Sequence, residues 1–149
     1  MEYNNRLFSE LRPFYTQKDI NDAIQDNKLF FFDVGYFYGF SVERDGYSKY
    51  YESIEEMIEA AYSFIKKYKQ DMLSTDRRIH FRAVKEVIPG TEGLGNGYML
   101  GYLAFGKEDK IIIYLDNRLD FCLEDFINKH DDVITYEKIQ EDKQKMLKK

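Results

Sequence analysis

A helix start followed by an apolar stripe constrains this fold more than any other feature of the sequence. Residues 53–56 read Ser-Ile-Glu-Glu, which is the S-x-x-E capping box of a helix N-terminus. Apolar residues then recur every three or four positions, so an amphipathic helix is predicted over residues 54–69. Acids lie early in this segment and lysines late, an order that suits the helix dipole. The predicted buried stripe is Ile54, Met57, Ile58, Ala61, Ile65 and Tyr68.

Segments with the alternation or the β-branched and aromatic content of strands lie on both sides of this helix. The predicted strands are residues 29–34, 36–44, 47–52, 78–87, 98–105 and 110–116. Residues 106–109 would connect the last two strands as a hairpin. In the strand over residues 78–87, the side expected to face mostly water carries Arg78, His80, Arg82 and Glu86.

The dipeptide Asp45-Gly46 predicts a two-residue hairpin turn, because a type I′ turn needs positive φ at both central positions. This turn would place Arg44 opposite Tyr47. One face of the hairpin would join the core and carry Tyr38, Phe40, Val42 and Tyr51. The other face would meet water and carry Ser41, Glu43, Ser48, Tyr50 and Glu52.

Two helices are predicted before the first strand. Residues 3–12 have helical apolar spacing, and Pro13 would end that helix. Thr16 would cap the next helix, with Asp19 completing a capping box, and Asn27 would end it.

Two more helices are predicted at the C-terminal end. Asp120 can cap residues 121–130, and Thr135 can cap a terminal helix. Residues 136–149 would pack on the domain or extend to a second copy in a homodimer. The whole order predicts a single α+β domain over residues 1–149, with a mostly antiparallel sheet of five to six strands.

Length and composition narrow the class of protein. A chain of 149 residues suits one domain, and its 33% charged and 44% apolar residues exclude disordered and membrane-spanning classes. The longest apolar runs, residues 29–32 and 111–115, are far shorter than the roughly 20 residues that cross a bilayer. Residues 1–5 lack the basic and apolar regions of a signal peptide. We therefore expect a cytoplasmic location, in the host-cell cytosol if the chain is phage-encoded.

No constellation of residues predicts catalysis, a metal site or a cofactor. Cys122 with His80 or His130 would be a thiol and its base, but Cys122 lies in an apolar run without the signature of a catalytic cysteine. The histidines lack the spacing of zinc ligands. The acids within residues 116–125 lack the alternation and central glycine of a calcium loop. A single cysteine also excludes an internal disulfide.

Acidic residues carry the clearest functional signal. The chain has 27 acids and 22 bases, for a formal net charge of −5. Acids gather within residues 43–59 and 116–125, either as plain solvated faces or as a patch that docks on a basic protein surface. Tyr47 and Tyr50 would be apolar anchors of such a patch. The expected protein-binding residues are Glu43, Tyr47, Tyr50, Glu52, Glu55, Glu56, Glu59, Asp116, Asp120 and Glu124.

These features favour a small cytosolic inhibitor, not an enzyme, that blocks a basic, nucleic-acid-handling target such as a nuclease or a toxin. A phage anti-CRISPR or other anti-defence protein would fit, and so would a toxin immunity protein. Direct binding of nucleic acid is not expected, since such domains are usually basic overall and this chain has a pI near 5.1.

A second class stays open, namely a protein that binds or sequesters a small ligand such as a nucleotide. Tyrosines on a sheet could stack a base, an arginine could take the phosphate, and the glycine-rich loop over residues 90–97 could close over both. That loop lacks Gly-Lys-Ser or Gly-Lys-Thr and precedes a strand rather than a helix, so it is not a phosphate loop by itself. The residues of this alternative are Arg78, Arg82, Gly93 and Gly95.

Overall fold

A computed structural model describes residues 8, 10–13, 15–38, 41–85, 87 and 98–147. Within these ranges the side chains at 36–38, 41–44, 98, 120 and 122 are left out of the description. The predicted helix over residues 3–12 falls largely outside the described residues. The loop over residues 90–97, with Gly93 and Gly95, lies entirely outside them.

A six-stranded sheet forms the centre of the fold. Its strands are β1 (Phe30–Tyr38), β2 (Ser41–Tyr47), β3 (Arg78–Ala83), β4 (Tyr98–Phe105), β5 (Ile111–Leu115) and β6 (Val133–Thr135). The order across the sheet is β2-β1-β3-β4-β5-β6, and every neighbouring pair is antiparallel except β5 and β6. The predicted α+β class with a mostly antiparallel sheet is confirmed.

Five α-helices accompany the sheet in the described part of the chain. They are α1 (Gln17–Gln25), α2 (Ile54–Lys67), α3 (Lys69–Thr75), α4 (Leu123–Lys129) and α5 (Tyr136–Leu147). The capping box of α1 is confirmed, because the Thr16 side chain accepts from the Asp19 amide and the Asp19 carboxylate accepts from the Thr16 amide. The Thr135 hydroxyl likewise accepts from the Lys138 amide at the start of α5.

Helix α2 carries the main core contact, as predicted from its stripe. Ser53 caps it by accepting from the Glu56 amide at 3.1 Å. The helix ends two residues earlier than predicted, because Tyr68 leaves the helical conformation at φ −106° and ψ 29°. The short α3 that follows was not predicted.

The core lies between α2 and one face of the sheet. Strands β1, β3, β4 and β5 each direct described apolar side chains to this face, where most are almost completely buried. Phe64 of α2 also belongs to the core, although the predicted stripe omitted it. The core side chains include Phe32, Val34, Met57, Ile58, Ile65, Ile79, Phe81, Leu103, Ile111 and Ile113.

The predicted turn at Asp45-Gly46 is wrong. Both residues lie inside β2, and the hairpin closes earlier, where Tyr38 of β1 pairs with Ser41. Arg44 pairs with Gly35 rather than with Tyr47, and the register shifts between Val34 and Gly35. An aspartate-glycine pair suits a β-bulge as well as a turn, since glycine inside a strand often marks a bulge.

The assignment of polar strand residues to water is also wrong at several positions. Ser48 is buried, where its hydroxyl accepts from the Phe32 amide and donates to the Lys49 carbonyl. His80 and Arg82 of β3 are 0% and 8% exposed. They meet the fully buried Asp33 of β1 across the strands. The alternation of β3 is therefore correct, but its second face is not solvated at these residues.

The C-terminal half follows the prediction closely, with two differences. Strands β4 and β5 form the expected hairpin around a 3-10 turn at Lys107–Asp109. The helix predicted over residues 121–130 is instead a 3-10 helix, Asn117–Cys122, followed by α4. The short β6, which pairs parallel to β5, was not predicted.

Candidate protein-binding site

The first turns of α2 present a row of acids to solvent. Glu52 precedes the Ser53 cap and is exposed, Glu55 and Glu56 lie in the first turn, and Glu59 follows one turn later and is half-buried. Acids here are stabilised by the positive end of the helix dipole. These predicted residues thus share one end of α2.

The fold brings a second group of acids to the same place. The first turn of α4 contains Glu124 and Asp125, which are both exposed. A cleft of about 110 Å³ separates α2 from the segment containing α4. We call it the acidic cleft, and its lining residues are Glu55, Ile58, Glu59, Phe121, Asp125, Phe126 and Lys129.

Phe121 stands beside the acidic cleft with 76% of its surface exposed. The residues two positions away on either side, Leu119 and Leu123, are buried and fix the chain on the core. The 3-10 turn between them therefore directs the Phe121 ring outwards. Sequence reasoning missed this residue, because within an apolar run it was indistinguishable from a core side chain.

A shallower depression of about 500 Å³ continues from the acidic cleft along α2. Glu55 and Glu59 line both concavities. Tyr51 forms the apolar part of the depression, and its ring stacks against core Phe32 with a centroid distance of 6.4 Å. Lys49 lies over the same tyrosine ring at 5.5 Å. The depression and the cleft together form one acidic surface with aromatic rings at both ends.

Most of these carboxylates are not neutralised inside the protein. In the described part of the chain, side-chain hydrogen bonds and ion pairs are absent at Glu52, Glu55, Glu56, Glu124 and Asp125. Their charges are therefore available to a partner.

Glu59 differs because the protein already uses its charge. Its carboxylate oxygen lies 2.9 Å from the Nε2 of His130, and Lys129 is 3.7 Å away. The His130 ring stacks on Tyr62 at 4.0 Å, and the Tyr62 hydroxyl donates to Asp132. Asp132 and its partner Lys66 complete this network, which joins α2 to the loop after α4.

Three other acids that were predicted to bind a partner contribute no described, unpaired carboxylate to the acidic cleft. Asp116 accepts from the backbone and the guanidinium of Arg118 at 2.9–3.0 Å, and these bonds hold the pKa of its carboxyl below the usual value. Glu43 lies in β2 and Asp120 in the 3-10 helix, and the side chains of both lie outside the described part of the structure.

Tyr47 and Tyr50 do not line either concavity beside the α2 acids. Tyr47 is only 7% exposed, and its ring packs edge-on against Tyr15 at 4.7 Å. Tyr50 is half-buried against Phe31 and Tyr15, with the Arg12 guanidinium 5.2 Å from its ring. Phe31 points away from the α2 side of the sheet, because its neighbour Phe32 belongs to the core. The aromatic rings near the acids are Tyr51 and Phe121 instead.

The alternative ligand site is only partly assembled. Arg82 cannot take a phosphate as predicted, because its guanidinium is buried and donates to Asp33 at 2.6 Å. Arg78 is half-buried and lies over the ring of Tyr102 at 5.4 Å.

Among the described residues, no group of three or more histidine, cysteine, aspartate or glutamate side chains could hold a metal ion. No helix there combines the length and the apolar character needed to span a bilayer.

Comparison with protein-family models, with curated proteins and with solved structures finds no match to this chain. The function is therefore argued from the acidic cleft and its surroundings.

Proposed function

We propose that this protein is a stoichiometric inhibitor that places its acidic cleft on the basic surface of a nucleic-acid-handling protein. One observation carries the proposal. Glu55 of α2 and Asp125 of α4, which are far apart in the sequence, line the same cleft as the exposed ring of Phe121, and neither has an ion-pair partner among the described residues. A basic groove that normally holds nucleic acid offers the complementary charge.

The carboxylates of the acidic cleft and the ring of Phe121 contribute differently to the proposed binding. Exposed carboxylates add little to the stability of a protein, but they attract a basic partner and speed its association. A large aromatic side chain that becomes buried in a partner supplies much of the binding free energy. Helix dipoles account for acids at helix starts, but they do not account for an exposed phenylalanine between them.

The proposal fits two settings, both in the cytosol. A phage anti-defence protein could block the nucleic-acid groove of a bacterial nuclease, including one of the CRISPR type. An immunity protein could cover the corresponding surface of a toxin. Both require tight one-to-one binding and no turnover.

The test is quantitative capture of partners from bacterial lysates with the tagged full chain, at low and moderate salt, followed by mass spectrometry. Two variants change the site, namely Phe121→Ala and the pair Glu55→Lys with Glu56→Lys. The matched control is Glu141→Lys with Asp142→Lys, which changes net charge equally on exposed positions of α5. A melting curve for each variant checks folding.

The proposal expects a basic nuclease or toxin that the wild type and the control retain and that both site variants lose. Phe121→Ala should weaken the binding free energy for this partner by roughly 2 kcal/mol or more, as expected for an aromatic side chain at the centre of an interface. The proposal is overturned if the control loses the partner as strongly as the charge variant. It is also overturned if no captured protein depends on the acidic cleft.

A further inference from the structure

A second surface lies on the opposite side of the sheet from α2. Tyr102 of β4 and Tyr114 of β5 are cross-strand partners, and their rings stack with centroids 5.6 Å apart at 29°. Their strand neighbours Leu103 and Ile113 belong to the core, so the tyrosines point to the other face. Tyr136, the first residue of α5, packs edge-on against Tyr114 at 5.7 Å. We call Tyr102, Tyr114, Tyr136 and Arg78 the tyrosine face.

The rings of the tyrosine face border a concavity. It is shallow and largely open to solvent, has a volume of about 280 Å³ and is lined by the three tyrosines. Ligand pockets usually measure roughly 300–1,000 Å³, so this one suits a single planar group rather than a large molecule. Tyr102 and Tyr114 are half-buried and Tyr136 is exposed, which leaves ring surface open to a ligand.

Arg78 distinguishes this surface from an ordinary cross-strand aromatic pair. The other arginines with described side chains, Arg12, Arg77, Arg82 and Arg118, each pair with a carboxylate. Within the described part of the chain, Arg78 has no such partner, and its guanidinium lies over the Tyr102 ring. An arginine held by an aromatic ring keeps its donors for an anion, and phosphate fits its forked geometry.

One acid acts against an anion here. Burial is the largest cause that raises the pKa of the Tyr102 hydroxyl, and Arg78 lowers it. Tyr136, Tyr114 and then Glu137, in the first turn of α5, raise it by smaller amounts. A bound anion would therefore lie at the Arg78 end of the tyrosine face, and the planar group would lie over the rings.

We propose that the tyrosine face binds a free nucleotide, with its base stacked on Tyr102 and Tyr114 and its phosphate on Arg78. Every base has a flat π surface that stacks on tyrosine, and the ring and the guanidinium together provide for both ends of such a ligand. The site shares no residue with the acidic cleft, so the two proposals can fail separately.

The test is an NMR titration of the full chain carrying isotope-labelled tyrosine rings. The probes are the four ribonucleoside 5′-monophosphates, adenosine, ribose 5-phosphate and a short single-stranded oligonucleotide, each added separately. We expect saturable shifts of the Tyr102 and Tyr114 rings with a monophosphate, weaker binding of adenosine, and no ring shifts with ribose 5-phosphate.

Variants assign the contributions. Tyr114→Leu should weaken monophosphate binding by about fivefold or more, as expected for a lost stacking contact, while Tyr114→Phe should retain it. Arg78→Gln should remove the preference for the monophosphate over adenosine. The matched control Arg118→Gln changes an arginine that already pairs with Asp116, and it should leave binding unchanged. Glu137→Gln should tighten binding.

Several results would overturn the proposal. One is the absence of ring shifts with every monophosphate, and another is equal binding of the monophosphate and adenosine by the wild type. A third is an Arg78→Gln effect no larger than that of the control. Much tighter and steeply salt-dependent binding of the oligonucleotide would show that the face serves a nucleic-acid strand and not a free nucleotide.

Discussion

At the scale of single residues, the most consequential group is a buried carboxylate. Asp33 is fully buried in the sheet, where it meets the Nδ1 of His80 at 2.9 Å and the Nε of Arg82 at 2.6 Å. Burying a charge is costly unless hydrogen-bonded partners compensate it. Each of the three buried side chains therefore depends on the other two. Removal of one would leave a buried polar or charged group without its partner, which would destabilise the fold.

We predict that Asp33→Asn destabilises the fold strongly, by roughly 3–5 kcal/mol, because it leaves the Arg82 guanidinium buried without its counter-charge. The measurement is urea unfolding. The control is Asp142→Asn, which breaks an exposed pair with Lys138 and should cost less than about 1 kcal/mol. Equal losses in the two variants would show that the buried network is not important for stability.

The same carboxylate predicts acid sensitivity. Burial raises the pKa of Asp33, but the hydrogen bond from His80 and the charge of Arg82 outweigh it, so the net pKa lies below the ordinary value of 3.8. A group whose pKa is lowered by folding stabilises the fold above its unfolded pKa, and this contribution is lost as the pH falls through its folded pKa.

We therefore expect the free energy of unfolding to fall steadily below pH 3.8, and to fall less steeply in Asp33→Asn. Parallel pH profiles of the two proteins would contradict this assignment. Other carboxyls with lowered pKa values, such as Asp116 and Asp132, titrate in both proteins and cancel in the comparison.

At the scale of elements, the sequence predicted the features that depend on interactions between residues close together in the chain. The capping residues of α1 and α2 and the hairpin of β4 and β5 were predictable, because caps and periodicity involve residues close in sequence. The turn at Asp45-Gly46 was mispredicted because a bulge and a turn have the same residue preferences. The burial of His80 and Arg82 depends on their cross-strand partner Asp33, which no periodicity reveals.

The cap of α2 can be tested by the same substitution at two positions of the chain. Ser53→Ala should destabilise the protein by about 1 kcal/mol, since it removes the acceptor for the Glu56 amide. Ser63→Ala, at an exposed position inside α2, should be neutral or slightly stabilising because alanine favours helices. Chemical denaturation measures both, and equal effects would argue against the cap.

At the scale of the whole molecule, the fold decides which charges act together. The sequence predicted two acidic clusters, and the helix dipoles explain why acids begin α2 and α4. Their meeting at the acidic cleft could not be predicted, because it depends on how α4 packs beside α2. Phe121 was missed for the same reason, since its exposure follows from the buried Leu119 and Leu123 on either side.

The most direct test of the inhibitor proposal is competition for the captured target, measured with labelled nucleic acid and increasing amounts of the full chain. The account predicts that the wild type displaces the nucleic acid completely at one equivalent, while Phe121→Ala and Glu55→Lys with Glu56→Lys do not. A ternary complex, in which target, nucleic acid and this protein remain bound together, would contradict it.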